Sequence, residues 1–250
     1  MLCALQAQSQ FKKLSIHLAL VIGVGCVSLT GFATCPDDFR QIAQAVRPKT
    51  GDPVQLPGFE RDTVTKLGEG KAGGSVYLIT PADGSAPYVL KDYHFWGPAS
   101  ANNDRIGLDM LGKLLKPEPG KPQELRAIRF IDFYDPQRLE LEYVAGQDLA
   151  ALSTNLTPTQ FAQLRVEYVR RLRMLESKFK QSPGPSFPPH TYQVVKVRYP
   201  RIENPNSLPS IELRLMSPDP HAQPGTVMIT ITPQNVILTK DGEFVIIDPN

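Results

Sequence analysis

Apolar residues recur at helical spacing in two long parts of the chain. One predicts a helix over 158–180, with Thr157 as the N-cap, Pro158 at the first helical position and Gln160 completing a capping box. The other predicts a helix over 104–115. The stripe of the longer helix predicts a core-facing side made of Phe161, Leu164, Tyr168, Leu172, Leu175 and Phe179.

Short apolar runs separated by turn residues predict strands in the rest of the chain. Asp241-Gly242, between two such runs, predicts a hairpin near the end of the sequence. The proline-rich segment 182–224 contains two alternating runs that predict another hairpin. The predicted strands lie near 64–67, 76–79 and 88–90, and over 126–133, 138–144, 192–199, 211–216, 227–231, 235–238 and 243–247.

The N-terminus has the pattern of a targeting segment. Lys12-Lys13 precedes an uncharged, mostly apolar run over 14–32, and Gly31-Phe32-Ala33 places small residues before a polar stretch. This order predicts a signal peptide over 1–33, cleavage after Ala33, and export to the periplasm or beyond. Three alternatives remain open from the sequence: an uncleaved membrane anchor over 14–32, lipidation at Cys35, and a buried first helix.

Charge and cysteine content narrow the classes of function. The formal net charge is +2, and the two N-terminal lysines account for it, so residues 34–250 carry equal numbers of basic and acidic groups. A neutral body gives no electrostatic reason to expect binding to nucleic acid or to an anionic membrane. We therefore expect a protein partner, no nucleic acid, and membrane contact only through the N-terminal segment. Only Cys35 follows the predicted cleavage site, so no internal disulfide is predicted.

Four glycines lie between the first two predicted strands. Gly68, Gly70, Gly73 and Gly74 would let backbone N–H groups approach phosphate oxygens without a side chain in the way. Taken alone, such a cluster is also typical of an ordinary hairpin. Lys91 follows in a short apolar run, where it could reach the same phosphates or could be an edge-strand lysine.

Four more polar residues have a possible chemical role. Asp104 opens the predicted helix after Lys91, so it could hold that lysine in an ion pair or favour the helix N-terminus electrostatically. The strand end from Glu142 to Gly146 has the form of a hinge or of an ordinary glycine turn. Asn235 and Asp248, at neighbouring strand ends, could share a magnesium ion or could serve as turn residues.

Together and in this order, these motifs resemble those of the protein-kinase family, over about residues 60–150 and 225–250. The resemblance implies ATP and Mg²⁺ as cofactors. It implies that Asn235 and Asp248 are the metal ligands. The nucleotide-binding residues that it implies are Gly68, Gly70, Gly73, Gly74, Lys91, Asp104, Glu142 and Val144.

The departures from the family concern catalysis. Thr230 stands where the family has its catalytic aspartate, and Met228 stands where it has the histidine of the same motif. Asp248-Pro249-Asn250 replaces D-F-G, and the sequence ends there. In kinases the missing aspartate accepts the proton of the substrate hydroxyl, a role that threonine cannot take near neutral pH. No catalytic residue is therefore assigned.

The resemblance implies an α+β fold with two lobes. We expect a five-stranded antiparallel N-lobe sheet with one helix, and a reduced, mainly helical C-lobe with hairpins. In this organisation residues 34–60 form an N-terminal extension, 61–147 the N-lobe and 148–250 the C-lobe, which contains the proline-rich insert 182–224.

Three functions remain open from the sequence. The first is an exported pseudokinase that binds a nucleotide or a protein partner without ordinary phosphotransfer. The second is a nucleotide-dependent transferase of altered chemistry, such as adenylylation, with Asp219 or His221 as a base. The third is a divergent active protein kinase. Export affects all three hypotheses, because the space outside the cytoplasm is normally poor in ATP. An exported protein must therefore find ATP in a host or target cell, or it does not use ATP.

Overall fold

The computed structural model shows a mixed α+β protein with a multi-stranded antiparallel sheet. The predicted signal segment, Gly70 and Gly73 of the glycine cluster, and Asp219 and His221 lie outside the described residues. Within the described residues, none of the helices is long and apolar enough to cross a membrane. The described residues are 36–69, 74–94, 97–117, 119–120, 123–181, 186–187, 190–191, 193–198, 207–216 and 227–249.

The helices are α1 (Pro36–Gln44), α2 (Gly97–Leu114), α3 (Leu149–Ser153) and α4 (Pro158–Gln181), with a 3-10 turn at Pro233–Asn235. The strands are β1 (Asp52–Pro53), β2 (Thr63–Glu69), β3 (Ser75–Thr80), β4 (Tyr88–Asp92), β5 (Leu125–Ala127), β6 (Phe130–Asp135), β7 (Arg138–Glu142), β8 (Gly146–Asp148), β9 (Ser186–Phe187), β10 (His190–Thr191), β11 (Gln193–Arg198), β12 (Ile211–Met216), β13 (Val227–Ile231), β14 (Val236–Thr239) and β15 (Phe244–Ile246).

The largest sheet has the strand order β1-β2-β3-β4-β7-β6, and all its neighbouring pairs are antiparallel. An antiparallel sheet in this part of the chain is therefore confirmed. The expected count of five strands is wrong, because β1 pairs with the outer side of β2 and adds a sixth. With two residues, β1 is too short to show an alternating pattern in the sequence.

A second sheet has the order β5-β15-β14-β8, in which only the β5–β15 pair is parallel. The hairpin predicted at Asp241-Gly242 joins β14 to β15, and Gly242 has the positive φ of 83° that such a turn requires. The single strand predicted over 126–133 is wrong. The chain leaves the second sheet after Ala127 and enters the largest sheet at Phe130, so one apolar run serves two sheets.

The proline-rich segment contributes to a third sheet. Its strands β11 and β12 pair with each other, as predicted, and β12 also pairs with β13. A separate short pair is formed by β9 and β10. The C-terminal part is therefore not mainly helical as expected, since these strands accompany α3 and α4 in its described residues.

The two long helices begin differently. In α4 the capping box is formed: Gln160 N–H donates to Thr157 Oγ1 at 3.3 Å, and Thr157 N–H donates to Gln160 Oε1 at 3.0 Å. Helix α2 begins at Gly97, so the expectation that Asp104 opens it is wrong. Residues 97–103 are small or polar and show no apolar stripe from which their helical state could be predicted.

Strand alternation in β4 directs side chains to two apolar clusters. Leu90 packs in a small cluster with Phe59, Val64 and Ile79, whereas Val89 belongs to the main core together with α1, α2 and α4. Burying a residue of this size stabilises the fold by about 1.5–3 kcal/mol. Residues two apart share a face of a strand. Lys91 therefore lies on the same face of β4 as Val89, toward the main core and α2.

Candidate functional site

The candidate site is a cleft of about 170 Å³ between the largest sheet and the second sheet. Val76 and Val89 line it from the largest sheet, and Ile237 lines it from the second. Tyr143 and Val144 line it from the segment that joins β7 to β8. A narrow space with apolar walls and a few polar groups is typical of a small-molecule site.

Lys91 connects three distant parts of the chain at the edge of this cleft. Its Nζ donates to Asp104 Oδ2 in α2 at 2.5 Å and to Asp248 Oδ2 at 2.8 Å. Lys91 is 8% exposed and Asp104 is 3% exposed, so both are buried. The ion pair expected between them is present, and Asp248 is a second carboxylate on the same ammonium group.

The electrostatics keep Lys91 charged. Burial on its own lowers the pKa of Lys91, but the charges of Asp248 and Asp104, together with their hydrogen bonds, outweigh burial and raise this pKa above the ordinary value for lysine. Lys91 is therefore a cation near neutral pH. Its positive charge is shared by the carboxylates of Asp104 and Asp248, and it cannot act as a base or as an amine nucleophile.

Tyr93 is a member of this cluster that sequence reasoning missed. Its hydroxyl donates to Asp104 Oδ2, the same oxygen that accepts from Lys91, and Lys91 Nζ lies 5.0 Å from the centre of its ring. Burial and the neighbouring charge of Asp104 raise the pKa of Tyr93, so its hydroxyl remains a donor. Tyr93 follows Lys91 by two residues, so strand alternation could have predicted that the two side chains lie on the same face.

Backbone contacts on both sides fix Asp248. Ile247 N–H donates to Asn235 O at 2.9 Å, and Thr230 N–H donates to Pro249 O at 2.7 Å. A Cβ at Gly107 would lie only 2.9 Å from Pro249 Cγ, so the missing side chain lets α2 approach the chain beside Asp248. The Asp248 side chain is 25% exposed and lines the cleft, which makes it the open carboxylate of the cluster.

Thr230 lies in β13, and Asn235 ends the 3-10 turn that follows this strand. Asn235 Nδ2 is 3.5 Å from Thr230 O, at the limit of a hydrogen bond. In the part of the chain that the structure describes, no group of three or more His, Cys, Asp or Glu side chains is placed to hold a metal. The pair of Asn235 and Asp248 has a single carboxylate and is not such a group, so magnesium binding there stays a prediction.

Other polar residues of the cleft were also missed from the sequence. Lys49, Glu69, Asp148 and Gln234 all line it. Asp148 accepts from Ala151 N–H at 2.8 Å as the N-cap of α3, a position that the following run of leucine and alanine could have indicated. Lys49 comes from a connector rich in proline and glycine, where no periodic pattern indicates which side chains meet the fold.

Some of the predicted nucleotide-binding residues line the cleft, and others do not. Gly68, Lys91 and Val144 line the cleft. Gly74 lies outside the described lining, and a Cβ there would be 2.5 Å from the carbonyl oxygen of Asp92, so packing against β4 already explains this glycine.

Glu142 also lies outside the described lining of the cleft. Its carboxylate accepts two hydrogen bonds from the guanidinium of Arg126, at 2.8 and 3.0 Å. The side chain of Glu142 therefore has a structural partner, and only its backbone is left to serve as a hinge.

No protein-family model matches the sequence, and no curated protein matches it significantly. The chemistry of the cleft is therefore the basis for a functional assignment. Its described lining includes apolar walls, the cations Lys91 and Lys49, and the carboxylates of Glu69, Asp148 and Asp248. Such a site can bind a small ligand whose apolar part lies between the walls and whose polar part meets these charges.

Proposed function

We propose that this chain is an exported, kinase-like protein that binds a magnesium nucleotide without ordinary phosphoryl transfer. The observation that carries the proposal is the buried Lys91, which pairs with Asp104 of the following helix and with Asp248 at the edge of an apolar cleft. Protein kinases use a strand lysine paired with a carboxylate of the next helix, and a metal-binding aspartate beside it. The order of strands and helix around Lys91 supports a kinase-like lobe.

The chemistry of the cleft fits a nucleotide. Apolar side chains from both sheets would enclose the base, and Lys91 and Lys49 would face the phosphates. Asp248 and Asn235 would hold the divalent cation, which neutralises phosphate charge when bound. The raised pKa of Lys91 suits this role, because the lysine stays charged over the whole physiological pH range, and a divalent cation at Asp248 would offset the negative charge beside it.

The surroundings of the cleft favour binding over transfer. Transfer to a hydroxyl needs a side chain that accepts the proton beside the reacting atoms. Thr230 offers only a hydroxyl at the position of the kinase aspartate. The carboxylates that line the described part of the cleft have other partners: Glu69 pairs with Lys66, Asp148 caps α3 and Asp248 holds Lys91.

A thermal-shift titration of the full chain with Mg–ATP tests the proposal. We expect Mg–ATP to raise the melting temperature of the wild type and to leave that of Lys91→Ala and Asp248→Ala unchanged. The matched control is Lys113→Ala, which removes a lysine from an exposed ion pair with Asp109 in α2 and should keep the full shift. An absent shift in the wild type at millimolar Mg–ATP, or a shift that survives both site variants, would contradict nucleotide binding at this cluster.

Labelled ATP distinguishes binding from transfer. We expect no label to pass from ATP to the protein or to generic protein substrates. Incorporation of an α-phosphate label would instead indicate adenylyl transfer, and incorporation of a γ-phosphate label would indicate kinase activity. Either incorporation, if lost in Asp248→Ala, would replace the binding function with that enzyme activity.

Export rests on the N-terminal sequence and needs its own test. Fractionation of the source cells should place the protein outside the cytoplasm, and N-terminal sequencing of the mature chain should begin at Thr34. A cytoplasmic protein that keeps residues 1–33 would contradict export.

A further inference from the structure

Helix α2 borders a second concave surface, which shares only Ile128 with the described lining of the nucleotide cleft. This surface, the α2 groove, is a cavity of about 690 Å³ between α2 and residues 126–130. Helical geometry places Arg105, Asp109 and Gly112 on a different side of α2 from Asp104 and Gly107. One helix therefore contributes to two sites, with the Lys91 cluster on one side and the α2 groove on another.

The rim of the α2 groove carries an excess of positive charge. Each of its acidic members has a cation partner: Asp109 pairs with Lys113 at 2.8 Å, and Glu142 pairs with Arg126 at 2.8 Å, although Arg126 also pairs with Glu243 at 2.9 Å. The cations Arg105, Lys116 and Arg129 also line the groove, and none has an ion pair with another described residue. This local excess stands out on a body whose basic and acidic groups are equal in number.

The floor of the α2 groove is apolar and partly open. Leu108 and Ile128 are buried there, and Phe130 is half-buried. Gly112 is exposed in the helix, and a Cβ placed on it would meet no atom within 4 Å. The groove thus has space directly over the helix backbone, where an incoming side chain could lie.

We propose that the α2 groove docks an acidic peptide segment of a partner protein. Rim cations that have no ion pair with another described residue complement carboxylates, and an apolar floor complements a hydrophobic anchor between them. Nucleic acid is a poorer occupant, because it binds chiefly through phosphate contacts spread along a basic surface and gains little from an apolar floor. The inference stands on the charges and shape of this groove and does not depend on nucleotide binding in the cleft.

The test measures fluorescence anisotropy of a labelled peptide with the full chain. The probe is a short fluorescein-labelled peptide in which a leucine–phenylalanine pair lies between two runs of glutamate. The control probe has lysine in place of each glutamate. We expect the acidic peptide to bind and its affinity to fall at least tenfold in the double variant Lys116→Glu, Arg129→Glu. Arg173→Glu, at an exposed position on α4, is the control for reversal of a single charge, to be compared with Lys116→Glu and Arg129→Glu one at a time, and should keep the wild-type affinity.

Substitutions at Gly112 test the shape of the site independently of its charge. Gly112→Phe fills the open space over α2 and should abolish peptide binding, whereas Gly112→Ala adds only a methyl group and should keep it. Thermal melting of each variant shows that it is folded. Failure of the acidic peptide to bind at millimolar concentration overturns the proposal, as does binding that survives both the double variant and Gly112→Phe. Tighter binding of a single-stranded RNA than of the acidic peptide, lost in the double variant, also overturns it in favour of nucleic acid.

Discussion

Two buried cations in this molecule are held in different ways. Lys91 is 8% exposed, and its two carboxylate partners lie 13 and 157 residues away in the sequence. Arg171 is 5% exposed, and its guanidinium donates to the side chain and backbone oxygens of Glu167, one turn earlier in α4, and to the carbonyl of Glu124. Phe244 covers Arg171 at 4.1 Å from the ring centre.

The difference separates a structural cation from a candidate functional one. Arg171 is bound by its own helix and by a backbone carbonyl and is packed against aromatic rings, which fixes it as part of the core. Arg171 also borders a concave surface, of about 570 Å³, together with Glu167 and Arg170. Lys91, by contrast, meets an apolar cleft and takes both of its carboxylate partners from distant elements, Asp104 of α2 and Asp248 after β15. A buried pair assembled from distant elements at a concave surface is the kind of arrangement that functional sites use.

Removal of Arg171 should cause the largest loss of stability. Arg171→Met removes the donor of the Glu124 carbonyl and leaves Glu167 with the exposed Arg170 as its cation partner among the described residues. Loss of one partner of a buried pair costs about 3–5 kcal/mol of unfolding free energy. Urea unfolding should show this loss, while the thermal shift caused by Mg–ATP persists in the variant that remains folded. Arg173→Met, at an exposed position on the same helix, should change stability by less than about 0.5 kcal/mol. Loss of the Mg–ATP shift in a folded Arg171→Met variant would contradict the claim that Arg171 is structural and that only Lys91 belongs to the binding site.

Tyr93→Phe should affect the Lys91 cluster in both stability and binding. The variant removes the hydroxyl that donates to Asp104 and keeps the ring beside Lys91. A hydrogen bond to a charged group contributes about 1.5–3 kcal/mol. Urea unfolding should detect that loss, and the Mg–ATP affinity should fall because Asp104 is less firmly held. Tyr88→Phe, at the start of the same strand, is the control and should leave the affinity unchanged. Equal affinities for wild type and Tyr93→Phe would make Tyr93 a packing residue only.

The sequence was sufficient to predict the elements whose patterns are local. The capping box of α4 and the hairpin at Asp241-Gly242 depend on neighbouring residues, and the structure has both. The first half of α2 was missed because residues 97–103 have no apolar stripe. The passage from β5 to β6 was missed because a run of apolar residues does not record which sheet each one enters.

The site shows the same limit of prediction. Lys91 and Asp104 could be paired from motif order, but the contact of Asp248 with the same ammonium group depends on a fold that joins residues 157 positions apart. No pattern in the sequence indicated that Gly107 has a role in the site. Its role follows only from the approach of Pro249 to α2, which no local pattern encodes.

Two glycines of α2 provide a matched pair that sharpens the comparison. In Gly107→Ala the new methyl group meets the rigid ring of Pro249 at 2.9 Å, and such overpacking costs about 1–3 kcal/mol. The shift of α2 or Pro249 should also displace Asp104 from Asp248 and weaken Mg–ATP binding. In Gly112→Ala the methyl group meets open space, and the better helix propensity should stabilise the protein by about 0.5–1 kcal/mol. Urea unfolding measures the stability of both variants, and the Mg–ATP titration measures their affinity. Equal stabilities and equal affinities in Gly107→Ala and Gly112→Ala would contradict the different roles given to the two glycines.

The smallest effect is expected in the pH dependence of stability that comes from the Arg171 cluster, the ion pairs of Arg171 and Arg170 with Glu167. Burial raises the pKa of Glu167, but its hydrogen bonds and charge interactions with Arg171 and Arg170 outweigh burial and lower it below the ordinary value. A carboxyl whose pKa is lowered by folding contributes stability above its unfolded pKa and loses that contribution as the pH falls through its folded pKa. Between pH 7 and acid values below about 4, the unfolding free energy of the wild type should therefore fall by more than that of Glu167→Gln.

Urea unfolding at successive pH values measures this difference. The control is Asp109→Asn, in an exposed ion pair of α2, which should follow the wild type. If Glu167→Gln also followed the wild type, the Glu167 carboxylate would not be the acid-sensitive partner of Arg171, and the stability of that cluster would rest on its aromatic packing and backbone hydrogen bonds.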